Sequence, residues 1–132
     1  MSELTRADRI WNRACGKDEM RFLPGDRALA DMIPAHGLVM NGGVLHAVEC
    51  VSDSELSAAV SAYRFFGHDA AANLLLRAKI ILDKGVNLDF HEQELDKQYA
   101  AIIPDDSFLV ERFQEHLEEN PSEYAPLRAK DM

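Results

Sequence analysis

The stretch 41–82, NGGVLHAVECVSDSELSAAVSAYRFFGHDAAANLLLRAKIIL, constrains the fold more than any other, because its helix starts and stops are written into local residues. Asn41-Gly42-Gly43 is turn chemistry, since glycine tolerates positive φ without steric cost. Val44, Leu45 and Val48 then make the apolar stripe of a short helix. Ser52-Asp53-Ser54-Glu55 has the form of a capping box, with Ser52 as N-cap and Glu55 three residues on. Leu56, Ala59, Val60, Tyr63 and Phe66 follow at a spacing that keeps one helix face buried. Gly67 is placed to end that helix in the left-handed region. Asp69 is expected to cap a third helix, which turns Leu74, Leu75, Ala78, Ile81 and Leu82 inward and closes at Lys84-Gly85.

The flanking segments extend the helical pattern. Ser2 is expected to cap a first helix with Leu4, Ala7, Ile10, Trp11 and Ala14 on one face, ended by Gly16. Leu23-Pro24-Gly25 reads as a turn, and Asp26 as the opening of a second helix through Ala28, Leu29 and Met32. Pro34 is expected to break or kink that helix, because its ring removes a donor and crowds the preceding turn. Ala35 to Met40 would resume it. Val86 to Asp89 is a link, Phe90 to Ile103 a helix ended by Pro104, and Asp105 or Asp106 the cap of a last helix. That helix carries Phe108, Leu109, Phe113 and Leu117 and stops at Asn120-Pro121. Tyr124 is expected to pack back, and residues 125–132 to fray. No strict alternation of apolar and polar residues marks a strand. The expectation is an all-α chain with one domain over residues 1–124, an orthogonal or irregular bundle of six or seven helices.

Composition narrows the function classes. At 132 residues with 47% apolar content, one core is affordable. No apolar run reaches the length of a membrane span, and the charged N-terminus lacks the apolar centre of a signal peptide. Cys15 and Cys50 lie inside predicted helices without a surrounding motif, so both are expected to be buried free thiols, in a cytoplasmic protein. The net charge of −9 is unevenly placed. Residues 89–123 hold eleven acids against Lys97 and Arg112, which accounts for all of it. Such a chain repels phosphates, so nucleic acid and anionic membranes are disfavoured as direct partners and a basic protein is favoured.

Motifs for chemistry are few. Of the five histidines, His46 pairs with Glu49 three residues on, a weak alternative for a metal site or a small helical enzyme; His46 is expected to be part-buried, the others to lie at surfaces or helix ends. The chain has no HExxH and no Glu-x-x-His, the order used by helical di-metal proteins. There is no GxSxG, and Asn41-Gly42-Gly43 lacks the Lys-Ser/Thr of a phosphate loop, so neither catalytic residues nor a cofactor are expected. The acids Glu92, Asp96, Asp105, Asp106, Glu111, Glu115, Glu118 and Glu119 are the candidate partner-binding face. Their competing role is a solvated surface that aids solubility. Tyr63, Phe65 and Phe66 cannot all face one core, and the surplus suggests a homodimer.

Asn41-Gly42-Gly43, Ala58 to Phe66 with Gly67, Ala70 to Leu82, Leu95-Asp96-Lys97-Gln98-Tyr99 and Glu119-Asn120-Pro121 together resemble a helical bacterial family, the DNA-mimic-protein-like domain, over residues 27–124. Val44, His46, Ala47 and Val48 depart from that family's aromatic-rich pattern after the Gly-Gly while keeping the stripe apolar. The resemblance implies an acidic protein that occupies the basic DNA-binding face of a transcriptional regulator. An inhibitor of another basic protein, such as a nuclease toxin, is the related alternative.

Overall fold

A computed structural model describes residues 4–16, 23–128 and 131. Among these the chain is all-α, with seven helices and a closing 3₁₀ turn: α1 (Arg6–Ala14), α2 (Pro24–Gly42), α3 (Val44–Cys50), α4 (Asp53–Phe65), α5 (Asp69–Lys84), α6 (Leu88–Ile102), α7 (Asp106–Glu119) and the turn Pro121–Glu123. The expected helix start at Ser2 lies outside the described residues. The described helix is capped instead by Thr5, whose hydroxyl accepts the Asp8 N–H while the Asp8 carboxylate accepts the Thr5 N–H.

α2 is the spine. It packs against α1, α3 and α4, while α5 packs on α3, α4 and α6. It begins two residues before Asp26 and runs unbroken through Pro34. The proline is exposed, so the missing amide falls on the outer side, and the inner stripe of Leu29, Met32, His36 and Val39 stays in register. Tertiary burial of that stripe outweighs the cost of the proline. The capping box at Ser52 and Glu55 forms as expected, and its bonds hold the Glu55 carboxyl below its ordinary range. α4 ends in a Schellman motif: Gly67 at φ 83° lets the His68 N–H reach the Tyr63 carbonyl at 2.8 Å and its own N–H reach that of Arg64 at 2.9 Å. The cap position of α5 is His68, with Asp69 the first helical residue, so Asp69 favours the helix through its charge and not as the cap.

The core gathers Ile10, Leu29, Met32, Val44, Tyr63, Leu74, Leu75, Leu95, Tyr99, Leu109 and Phe113. Phe113 of α7 meets Trp11 at 5.7 Å, Tyr124 at 5.6 Å and Phe66 at 6.5 Å between ring centroids, which joins α1, α4 and α7. Tyr63 and Phe66 are buried, and Phe65, partly buried, packs beside His116 at 4.6 Å between ring centroids. Cys15 and Cys50 are exposed, at the ends of α1 and α3, and not buried as expected.

The described part of the segment expected to fray is held. Asp26, 1% exposed, accepts Arg13 at 2.7 Å on one oxygen and the backbone N–H groups of Leu23 at 3.2 Å and Ala125 at 2.7 Å on the other. Arg13 also donates to the carbonyls of Ala125 at 2.9 Å and Pro126 at 3.1 Å. A buried ion pair is tolerated when most of its remaining bonding capacity is filled, and here backbone groups near Leu23 and Ala125 fill much of it, while the buried Arg13 Nε makes no hydrogen bond among the described residues. Gly25 completes the joint, because a Cβ there would stand 2.5 Å from the Tyr124 ring.

Asp26→Ala leaves the Leu23 and Ala125 amides without their acceptor and the Arg13 guanidinium with only two carbonyls and the Asp131 carboxylate at 3.5 Å, so it is expected to cost the lower end of about 3–5 kcal/mol in urea unfolding. A loss below about 1 kcal/mol, the range of exposed pairs, would show that the joint is solvated.

Candidate functional site

The eight candidate acids divide into two groups. Glu111, Glu115, Glu118 and Glu119 are exposed on one side of α7, opposite the buried Leu109, Phe113 and Leu117. Arg112 stands 3.8 Å from Glu115, a half-exposed contact of little strength. Glu92 is exposed on α6. The other three are engaged within the fold. Asp105 caps α7 by accepting the Phe108 N–H at 3.0 Å. Asp96 is half-buried and accepts the Val44 N–H at 2.8 Å, satisfying the first amide of α3. Its carboxylate lies where a Cβ on Gly43 would approach to 2.9 Å, and Gly43 itself sits at φ 96°. Asp106, though exposed, accepts from His36 at 2.7 Å. α6 docks on α3 and α5, whereas α7 docks through Phe113 and His116 on α1, α4 and Tyr124.

His36 is buried, contrary to its expected surface position, and so is His68. From His36 a polar chain crosses the core. Its Nε2 lies 2.7 Å from Asp106, its Nδ1 2.7 Å from the Tyr99 hydroxyl, and that hydroxyl 2.7 Å from the hydroxyl of Tyr63. A carboxylate only accepts, so with a neutral ring Nε2–H donates to Asp106 and Nδ1 accepts from Tyr99. Tyr99 then accepts from Tyr63, and each group is satisfied in one direction. Burial pushes the Tyr63 phenol up to about 12 and, together with the neighbouring Tyr63, pushes Tyr99 well above the ordinary phenol range. Neither is a base or nucleophile near neutrality. The chain positions α2, α4, α6 and the start of α7 against one another.

His46 is half-buried and Glu49 exposed on α3. The side chain His46 meets is Cys50, with Sγ 3.6 Å from Nδ1, and its ring packs over Gly42. Among the described residues no three His, Cys, Asp or Glu side chains gather as a metal site. No described helix is long and apolar enough to cross a membrane. Comparison of the chain with protein-family models, curated proteins and solved structures finds no match.

The polar chain was missed in the sequence because Pro34 hid the phase of α2. Continued through the proline, the stripe Leu29, Met32, His36, Val39 puts His36 on the buried side, and Leu95, Tyr99, Ile103 does the same for Tyr99.

Tyr99→Phe leaves both His36 Nδ1 and the Tyr63 hydroxyl without a partner, at about 1–3 kcal/mol each, whereas Tyr63→Phe removes only the terminal donor. Tyr99→Phe is therefore expected to lower the urea midpoint clearly more, and equal losses would break the inferred direction of the chain. Stability is also expected to depend on pH at both ends. Tyr63, Tyr99 and Tyr124 are raised above the ordinary value of 10.0 by burial first, so their stabilisation is intact below pH 10 and is lost as pH rises beyond it. His68 and His116 are lowered from 6.5, also by burial first, so their share is present above that pH and is lost as pH falls. A flat unfolding midpoint from pH 5 to 11 would contradict both shifts.

Proposed function

We propose that the protein is an acidic interaction domain whose α7 face docks on the basic, nucleic-acid-binding surface of a partner protein, in the manner of a DNA mimic. The observation that supports this is the row Glu111, Glu115, Glu118 and Glu119, exposed together on one helix. The four charges fall at intervals of four, three and one residues along about 12 Å of helix axis. Their density, and not an even spacing, is of the order of one strand of duplex DNA, with a phosphate about every 3.4 Å. An Arg- or Lys-rich groove meets a comparable amount of negative charge on either. Glu111, Glu115 and Glu119 also stand at i, i+4 spacing, where like charges cost a few tenths of a kcal/mol per pair. A cationic partner relieves that cost. Association through such a face is steered electrostatically and weakens with salt. The family resemblance points the same way, but the reading stands on exposure and charge density.

The test uses a basic DNA-binding domain carrying a fluorescently labelled duplex. Adding the protein at low salt is expected to displace the duplex, with the effect lost as salt is raised. Replacing the four glutamates with Gln is expected to abolish displacement while leaving the helical circular dichroism unchanged. A Gln variant that displaces DNA as well as the parent would remove α7 as the docking face. Failure of the parent across a panel of DNA-binding domains would remove the mimic reading.

A further inference from the structure

A pocket away from the α7 glutamates carries an inference independent of the docking face. It lies where the last turns of α2 and α6 come together, helices already joined by the His36–Tyr99 bond. Its volume is about 280 Å³, and it is lined by residues 39–43 and by Asp96, Tyr99, Ala100, Ile103 and Pro104. Both helices end here with open carbonyls. The amide four residues beyond Met40 is that of Val44, and the Asp96 carboxylate takes it at 2.8 Å. The residue four beyond Ala100 is Pro104, which has no amide to give. Among the described residues no other backbone amide bonds to either carbonyl. Neither last turn holds a basic residue, so each helix end leaves about half a negative charge at the pocket. Asp96 adds a whole one. It is half-buried, and only one of its oxygens is engaged, by Val44, among the described residues.

The charge is not balanced from within, because no lysine, arginine or histidine is among the lining residues. The Tyr99 hydroxyl is committed to His36 and Tyr63, so only its ring is offered. Apart from the exposed Asn41 amide, the polar groups at the pocket accept hydrogen bonds and do not donate them. The rest of the wall is carbon, from Val39, Met40, Ala100, Ile103 and Pro104. A hydrated metal ion has no use for such a wall, whereas an alkyl chain is desolvated on it. We infer that this pocket binds a primary ammonium group carried on a short aliphatic chain. The three N–H donors of an ammonium suffice for the free Asp96 oxygen and one carbonyl from each helix end. A ligand that brings its own carboxylate is repelled by the same three groups.

Amide-resolved NMR of the full chain tests this, with butylammonium chloride exchanged for potassium chloride at constant ionic strength. The amides of Gly43, Val44 and Ile103 are expected to shift and saturate, with half-saturation on the order of millimolar for so small a ligand. Butan-1-ol and butanoate at the same concentrations are expected to leave them in place. Asp96→Asn keeps an acceptor for the Val44 amide but removes the charge, and is expected to weaken binding about tenfold with unchanged circular dichroism. Ala100→Leu fills the pocket without altering charge and is expected to abolish binding; it decides the question if Asp96→Asn does not fold. Shifts that never saturate, that centre on the α7 glutamates or that butan-1-ol reproduces overturn the inference. So does parental affinity in either folded variant. Nα-acetyl-lysine methylamide then separates two sources of the same group. Binding as tight as that of butylammonium assigns the pocket to a lysine side chain of another protein, and failure assigns it to a free amine.

Discussion

A carboxylate held at 1% exposure must take its donors from the protein in place of water, and Asp26 finds three, each in a separate part of the chain. Arg13 brings α1, the Leu23 amide brings the start of α2, and the Ala125 amide brings the C-terminal segment. The pair is costly to bury and costly to break, so it favours one arrangement of the chain ends over its alternatives.

α2 carries that constraint from one end of the molecule to the other. Its first turn holds Asp26 and its middle holds His36, while Gly43 at its far end turns the chain into α3 under the Asp96 carboxylate. The His36 bond to Asp106 fixes the first turn of α7, and Phe113 and Leu117 fix its roll. With both set, Glu111, Glu115, Glu118 and Glu119 have only solvent to face. The acidic surface is thus a product of buried polar and aromatic contacts on the opposite side of the same helix. The proposed docking role uses a face that is already exposed and does not require the fold to open.

The all-α architecture was legible where the signals are local. Ser52 with Glu55, Gly67 and Gly85 mark the ends of α4 and α5 within a few residues of themselves, and the structure places them so. The length of α2 was not legible, because the proline penalty is local and the burial that outweighs it is not. The same limit explains the acids. Exposure of the α7 glutamates follows from helical phase, and the cap at Asp105 from its place before the helix, but Asp96 and Asp106 were indistinguishable from the exposed acids by composition. Their roles come from Val44 and His36, and both partners lie more than fifty residues away. His36, Tyr99 and Tyr63 are likewise separated by 63 and 36 residues, beyond any motif.

The joint at Asp26 also sets an order of events. The bonds from Arg13 to Ala125 and from Ala125 to Asp26 span 112 and 99 residues, whereas the helix pairs at the centre close over short connections. Loop-closure entropy grows by about 0.6 kcal/mol per doubling of length, so a connection eight times longer costs about 2 kcal/mol more to bring together. The central hairpins therefore assemble first and the chain ends meet last. Until the segment around Ala125 has been made, Asp26 has only Arg13 and the Leu23 amide as donors, and its third bond waits for the rest of the chain.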